Sequence, residues 1–138
     1  MNSMSQTEAA YVAGLLDGEG CFSVFQKKDG AVGLSLSLYM TNREVMDAVK
    51  KYTGTTCNIL PIKGRENRKD QWLWKPSLSE AKVLVEQILP YLIVKRRNAE
   101  LFIELLELRK HSSRWDNKRA EQLAILEENT RLNKRGIN

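Results

Sequence analysis

Apolar and polar residues alternate strictly in the segment GLSLSLYM, which covers residues 33–40. Successive side chains of a β-strand point to opposite faces, so this pattern predicts a strand in a sheet with one buried and one open face. The buried set is Leu34, Leu36, Leu38 and Met40, and the open set is Gly33, Ser35, Ser37 and Tyr39.

The rest of the chain divides into segments with helical or strand periodicity and recognisable ends. Asn42 and Gly54 suit the start and end of one helix, and Ser77 with Glu80 forms a capping box for another. We predict helices at about residues 7–18, 42–54, 77–89 and 94–110, a last helix with a basic tail over 115–138, and strands at 21–28, 33–40, 55–62 and 71–75. The order α-β-β-α-β-β-α-α predicts an α+β fold, a four-stranded antiparallel sheet with helices on one face.

The open face of this sheet differs from an ordinary solvated face, because it combines short polar, aromatic and basic residues and lacks alternating Glu and Lys. The same alternation assigns to it Ser23, Phe25 and Lys27 of the first strand and Gln71, Leu73 and Lys75 of the fourth. Basic turns flank the face at residues 27–28 and 63–69. A curved ribbon of this kind can lie in the major groove of DNA while flanking cations hold phosphates. A merely solvated face is the alternative.

Composition narrows the class of protein. With 138 residues, 42% hydrophobic and 28% charged, the chain is expected to be a single globular domain, residues 1–138. The net charge of +5 is compatible with a polyanionic partner. No apolar run approaches the roughly 20 residues that cross a bilayer, and no secretory pattern opens the chain, so we expect a soluble, intracellular protein without a membrane partner. Cys21 and Cys57 lack metal-ligand spacing and are expected to be ordinary reduced thiols.

Small residues follow one side of the first predicted helix, which ends in two acids. Ala10, Ala13 and Gly14 are followed by Gly18, one turn beyond Gly14. Glycine inside a helix costs about 1 kcal/mol relative to alanine, so close packing against a second helix is expected. If that helix belongs to another copy, two-fold symmetry brings two acidic ends together, where a hard divalent cation such as Mg²⁺ can hold them. For the acidic segment DGEG taken alone, a tight turn with solvated acids is the alternative.

The segment VAGLLDGEG, residues 12–20, resembles the nine-residue signature of the LAGLIDADG homing endonucleases. Four places differ, by mild changes: Val for Leu, Leu for Ile, Gly for Ala and Glu for Asp. The motif occurs once, which resembles the single-motif members that act as homodimers. The order of elements also resembles the αββαββα fold of this family, in which a saddle-shaped sheet lies on DNA.

The resemblance implies roles for particular residues. Glu19 stands where the family places its metal-binding carboxylate, and Gly18 where a backbone carbonyl binds the same ion. Asp17 stands at the position of a structural cap at the helix interface. Asn42 corresponds to an amide that orients a water molecule, and Lys95 to a lysine near the scissile phosphate.

Two larger sets of residues complete the expected sites. Dimer contacts are expected at Ala10, Ala13, Gly14 and Asp17. DNA contacts are expected at Ser23, Phe25, Lys27, Lys28, Gly33, Ser35, Ser37, Tyr39, Arg43, Lys63, Arg65, Arg68, Lys69, Gln71, Leu73, Lys75, Arg96, Arg97, Asn133, Lys134 and Arg135.

The function that the resemblance implies is a site-specific DNA endonuclease. It would make a metal-dependent double-strand break with 3′ overhangs in a long, near-palindromic intron-insertion site, using Mg²⁺, for which Mn²⁺ can substitute. Double-stranded DNA and a second copy are the expected partners, with no small-molecule substrate, in a bacterial or phage cytoplasm or an organelle. The alternatives are a cleavage-deficient DNA-binding relative, an intron-RNA splicing maturase, or a protein-interaction domain.

Overall fold

The computed structural model describes residues 3–111 and 118–137, and leaves the side chains of residues 111 and 135–137 undescribed. The helices are α1 Gln6–Glu19, α2 Arg43–Thr53, α3 Leu78–Ile88, α4 Arg96–His111 and α5 Arg119–Ile137, with a 3₁₀ turn at Leu89–Tyr91. The strands are β1 Gly20–Gln26, β2 Val32–Met40, β3 Leu60–Ile62 and β4 Gln71–Trp74. This mixed fold with a four-stranded antiparallel sheet confirms the predicted fold class.

The sheet has the strand order β1-β2-β4-β3, and every neighbouring pair is antiparallel. Leu34, Leu36 and Leu38 of β2 are buried beneath the helices, as their alternation predicts. Phe22 of β1 and Phe102 of α4 pack edge to face with ring centroids 5.7 Å apart. The helices therefore cover one face of the sheet and leave the other open.

Helix α1 begins at a complete capping box and ends without a loop. Ser5 Oγ accepts a hydrogen bond from Glu8 N at 3.1 Å, and Glu8 Oε1 accepts one from Ser5 N at 3.0 Å. At the other end the chain passes directly from Glu19 into β1 at Gly20. A Cβ atom at Gly20 would lie 2.8 Å from the Leu16 Cα atom, so only glycine permits this abrupt change of direction.

The third strand is shorter than predicted, with residues 60–62 rather than 55–62. Thr55 is buried, and its hydroxyl accepts a hydrogen bond from Trp74 Nε1 at 3.0 Å and lies 2.9 Å from the Thr53 hydroxyl. Thr56 N donates to the carboxylate of Glu80. Polar groups of this segment thus bond to side chains instead of a neighbouring strand. Cys57 consequently precedes the strand, and it and Cys21 are free, half-buried thiols.

Residues of the predicted basic tail continue helix α5 to Ile137, while residues 115–117 and 138 of the predicted segment 115–138 lie outside the described ranges. Three asparagines hold α5 in place. Asn98 Nδ2 donates to Asn129 Oδ1 at 2.9 Å and to Asn133 Oδ1 at 3.2 Å. Asn129 Nδ2 donates to the Phe22 carbonyl of β1 at 3.0 Å. Side-chain amides therefore satisfy a backbone group on the edge strand of the sheet.

Within residues 3–111 and 118–137, no helix is long and apolar enough to cross a membrane.

Candidate active site and nucleic-acid interface

The exposed C-terminal end of α1 carries Gly18 and Glu19. A carboxylate here faces the negative end of the helix dipole, which is unfavourable for helix stability. The Glu19 side chain is exposed, so its carboxylate is accessible from outside the protomer.

Asp17 fixes the start of α4 to the end of α1. Its Oδ2 accepts a hydrogen bond from Ile93 N at 2.8 Å, and its Oδ1 accepts from Val94 N at 3.1 Å and Lys95 N at 3.0 Å. Both carboxylate oxygens are occupied inside the protomer, and this agrees with the structural cap that the family resemblance implies.

The side chain of Lys95 returns to the same helix end. Its ammonium group donates to the carbonyl of Leu16 at 3.1 Å and to the carbonyl of Gly20. A cation that binds the last carbonyls of a helix compensates their partial negative charge. The ammonium group is thus bound to the turn of chain, residues 16–20, that contains Gly18 and Glu19.

Asn42 begins α2 just beyond the end of β2. Its Oδ1 accepts a hydrogen bond from Val45 N at 3.1 Å, as an N-cap does. Gly20 pairs with Leu38 in the sheet, so Asn42 follows the strand end that adjoins α1. The side chain is exposed, so the amide is accessible from outside the protomer.

The surface of α1 that faces away from the protomer is lined by small residues. Ala10, Gly14 and Gly18 are exposed, and no atom lies within 4 Å of a Cβ built at either glycine. The fold of one protomer therefore does not require these glycines. Ala13 differs from the prediction: its side chain is fully buried in the protomer core, so it offers no surface to a second copy.

The register of the sheet confirms which residues share the open face. Ser23 pairs with Ser35, Phe25 with Gly33, and Tyr39 with Leu73. Gly33 and Ser37 are nonetheless buried, Gly33 because the Phe25 ring covers it, so these two predicted DNA contacts expose little surface.

The protein-family model of the LAGLIDADG-like domain matches residues 6–107 of the chain. The chain belongs to the LAGLIDADG family.

Solved structures of homing endonucleases share this fold. I-CvuI, crystallised with its target in the presence of calcium, is 19% identical with a TM-score of 0.70, over 92% of this chain and 82% of that one. The archaeal intron-encoded I-Vdi141I, complexed with DNA, is 20% identical with a TM-score of 0.72, over 91% and 84%. I-AabMI bound to uncleaved DNA is 27% identical with a TM-score of 0.60, over 74% of this chain and 36% of that one. No curated protein sequence matches the chain significantly.

Among the described residues of this LAGLIDADG chain, no group of three or more His, Cys, Asp or Glu side chains could hold a metal ion. One protomer therefore does not present a complete metal site within those residues. The exposed Glu19 carboxylate and the Gly18 carbonyl are hard oxygen donors of the kind that Mg²⁺ prefers. They fit a partial ligand set that water, phosphate or a second protomer would complete.

Basic residues lie at both ends of the open face. Those predicted to bind DNA and found exposed are Lys27, Lys28, Lys63, Arg65, Arg68, Lys69 and Lys75. The loop between β3 and β4 surrounds a cavity of about 340 Å³. Gly64 N donates to Asp70 Oδ1 at 2.8 Å, which closes the base of this loop.

Other predicted DNA contacts are occupied inside the protomer. Arg97 donates to the Glu128 carboxylate through Nε and a terminal nitrogen at 2.7 and 3.0 Å, and pairs with Glu100 and Glu104. These carboxylates, Glu128 first, raise the pKa of Arg97, and the guanidinium lowers that of Glu128. Arg97 therefore helps to hold α4 and α5 together.

Arg96, Arg43 and Asn133 are engaged as well. Arg96 donates to the carbonyls of Leu92 and Pro90. Arg43 pairs with Asp47 at 3.0 Å and stacks 4.6 Å from the Trp72 ring centroid. The Asn133 amide belongs to the asparagine network behind the sheet. Lys134 is exposed on α5, and the side chain of Arg135 lies outside the described residues.

Three residues of the open face were missed from the sequence. Cys21 lies opposite Ser37, Leu60 opposite Leu73, and Ile62 opposite Gln71. Leu60 and Ile62 alternate with Pro61, which was a signal that both face the same side. This signal was not used, because the predicted strand extended over residues 55–62 and was less regular.

Proposed function

We propose that the chain is a site-specific DNA endonuclease that acts as a homodimer and cleaves both strands of its target. The observation that supports this most directly is that the Lys95 ammonium group binds the carbonyls of Leu16 and Gly20, in the turn of chain that contains the exposed Gly18 and Glu19. The family supplies the reaction class, and the DNA present in the solved structures of I-CvuI and I-Vdi141I supports duplex DNA as substrate.

Dimerisation through α1 would complete the site. The exposed small residues of α1 allow another backbone to approach closely. Ile93 and Val94 are 85% and 69% exposed, and Asp17 holds them beside the end of α1. Burial of these apolar side chains against a second copy would stabilise the pair. Each copy would then contribute one Glu19.

The cation that this site would take is Mg²⁺, with Mn²⁺ as a substitute, and it would be held by Glu19 and the Gly18 carbonyl. When bound, it supplies the activation of water and the neutralisation of leaving-group charge that phosphodiester hydrolysis needs. The Lys95 ammonium group would stabilise charge on the scissile phosphate. The exposed Asn42 amide would orient the attacking water.

Each strand would be cut once, because the two sites are related by a two-fold axis. The resemblance to the family implies that the cuts lie across the minor groove and leave 3′ overhangs. The same axis makes a near-palindromic target, such as an intron-insertion site, the expected substrate. The exposed cations around the open face would contact phosphates on both sides of the groove. Binding should therefore weaken steeply as salt concentration rises.

The proposal is tested by comparing wild type with Glu19→Gln on duplexes selected from a randomised pool by binding. We expect wild type to cleave them with Mg²⁺, and Glu19→Gln to bind equally well without cleavage. Glu86→Gln, which alters an exposed carboxylate of α3, serves as the matched control and should cleave normally.

Other outcomes identify the alternatives. Binding without cleavage by wild type at any divalent-cation concentration would favour a cleavage-deficient relative. Binding to structured intron RNA in preference to duplex DNA would favour a maturase. Failure to bind either nucleic acid would overturn the proposal and favour a protein-interaction domain.

A further inference from the structure

Apolar side chains form a continuous patch on the open face of the sheet, at the side away from β1. Tyr39, Leu73 and Leu60 lie opposite one another across β2, β4 and β3, and Ile62 follows Leu60 on the same face. Tyr39 is 42%, Leu60 49% and Ile62 37% exposed, and Leu73 is half-buried. Within the described residues the helices cover the opposite face, so the fold itself does not bury this patch.

The shape of β3 argues against another strand as the occupant. This edge strand has three residues, and Pro61 at its centre lacks a backbone N–H. Short edge strands that contain proline are poor templates for strand addition. A partner of the patch must therefore contact side chains rather than the backbone edge.

The surrounding charge indicates a polyanion. The loop that follows Ile62 carries four exposed cations against two exposed acids, Glu66 and Asp70, and Asp70 is bonded to Gly64 N. The cations are Lys63, Arg65, Arg68 and Lys69, and the exposed Lys75 follows β4. Within the described strands, no acidic residue lies on the open face. An occupant must combine negative charge at its margins with apolar groups at its centre. Duplex DNA meets both conditions, because phosphates flank the major groove and the thymine C5-methyl group is the apolar group exposed on its floor.

We propose that Leu60, Ile62 and Leu73 select thymine at two or more positions of each half-site by contacting its methyl groups. This inference rests on the proposed function. At the base pairs that face the patch, the protein offers no strong hydrogen-bond donor or acceptor apart from the Tyr39 hydroxyl and the neighbouring Gln71. The other half of the face carries Ser23 and Ser35, whose hydroxyls both donate and accept and so discriminate bases weakly. Each half-site therefore contains a segment that depends on thymine methyl groups and a more permissive segment.

The experiment replaces each thymine of the selected duplex, one at a time, with deoxyuracil, which removes only the methyl group. Burial of one methyl contributes about 0.8 kcal/mol, so wild type should bind about fourfold more weakly at each contacted position. In Leu60→Ala, the sensitivity at one or more of those positions should disappear. Val83→Ala, which shortens an exposed apolar side chain on α3, should keep the wild-type pattern.

The outcomes separate this inference from the proposed function. If no sequence is selected from the pool, the proposed function fails. If a sequence is selected but uracil is tolerated at every position, thymine reading is overturned while the endonuclease proposal stands. Persistence of the full uracil penalty in Leu60→Ala, Ile62→Ala and Leu73→Ala would also overturn it, because the methyl groups would then be read elsewhere. Chemical unfolding of each variant verifies that it is folded.

Discussion

The Asp17 carboxylate accepts a hydrogen bond from the backbone N–H of Lys95, and the side chain of the same lysine turns back to bind the end of α1. These contacts join two segments that are far apart in sequence. Because both its backbone N–H and its side chain are held, the ammonium group has a defined position at the carbonyls of Leu16 and Gly20. Asp17 thus positions Lys95, the residue that we propose to act at the scissile phosphate.

Replacement of Asp17 by alanine should therefore destabilise the protein and reduce cleavage. Three backbone N–H groups would lose a charged acceptor, which we expect to lower the free energy of unfolding by about 2–4 kcal/mol. Urea denaturation measures this change. Asp47→Ala, which breaks only an exposed pair with Arg43, should cost about 0.5 kcal/mol or less. Equal losses in the two variants would contradict the anchoring role of Asp17.

Lys95→Met should separate cleavage from binding. Loss of the cation near the scissile phosphate should reduce the single-turnover cleavage rate about 10²- to 10³-fold, with target affinity nearly unchanged. Lys75→Met, beside the DNA-binding face, should instead reduce the affinity for DNA and the salt dependence of that affinity, while the cleavage rate of bound DNA stays nearly unchanged. A Lys95→Met protein that cleaves bound DNA at the wild-type rate would exclude the proposed role.

Gly14→Leu should convert the dimer into a stable monomer. No atom lies within 4 Å of a Cβ added at this position, and leucine has the better helix propensity by about 0.8 kcal/mol. The monomer should therefore gain thermal stability while the close approach of two α1 helices is blocked. Sedimentation analysis distinguishes the two states, and Ala120→Leu on the exposed surface of α5 is the matched control. Unchanged dimer mass in Gly14→Leu would refute packing through α1.

Asn129→Ala should loosen α5. The substitution leaves the Phe22 carbonyl and the Asn98 amide with fewer partners in a buried site, which should cost about 2–4 kcal/mol. Thr130→Ala, at the next and exposed position, should be nearly neutral. Hydrogen exchange of β1 amides should rise in Asn129→Ala if the helix protects this strand edge. Protection equal to wild type would show that α5 docks without the asparagine network.

Local patterns were sufficient for most of the fold. The alternation about Leu36 assigned the two faces of the sheet, and the signature resemblance singled out Glu19, which the structure places on an exposed helix end. Both assignments use only residues that are close together in the sequence.

The errors come from partners that are distant in sequence. The pairing of Arg97 with Glu128, 31 residues later, could not be foreseen from the sequence around either residue. Ala13 and Gly14 are neighbours of similar size, and only the packing of α1 on the core decides which of them faces outward. Short-range patterns contain no information about such contacts.

The direct passage from α1 into β1 at Gly20 leaves no linker between the segment that would cut DNA and the strand that would read it. If β1 tilted on a poorly matched duplex, the end of α1 with Glu19 would move with it, away from the phosphodiester to be cleaved. Cleavage would then be restricted to well-matched targets without a separate conformational step, because poor docking and loss of catalytic alignment would be one rigid movement.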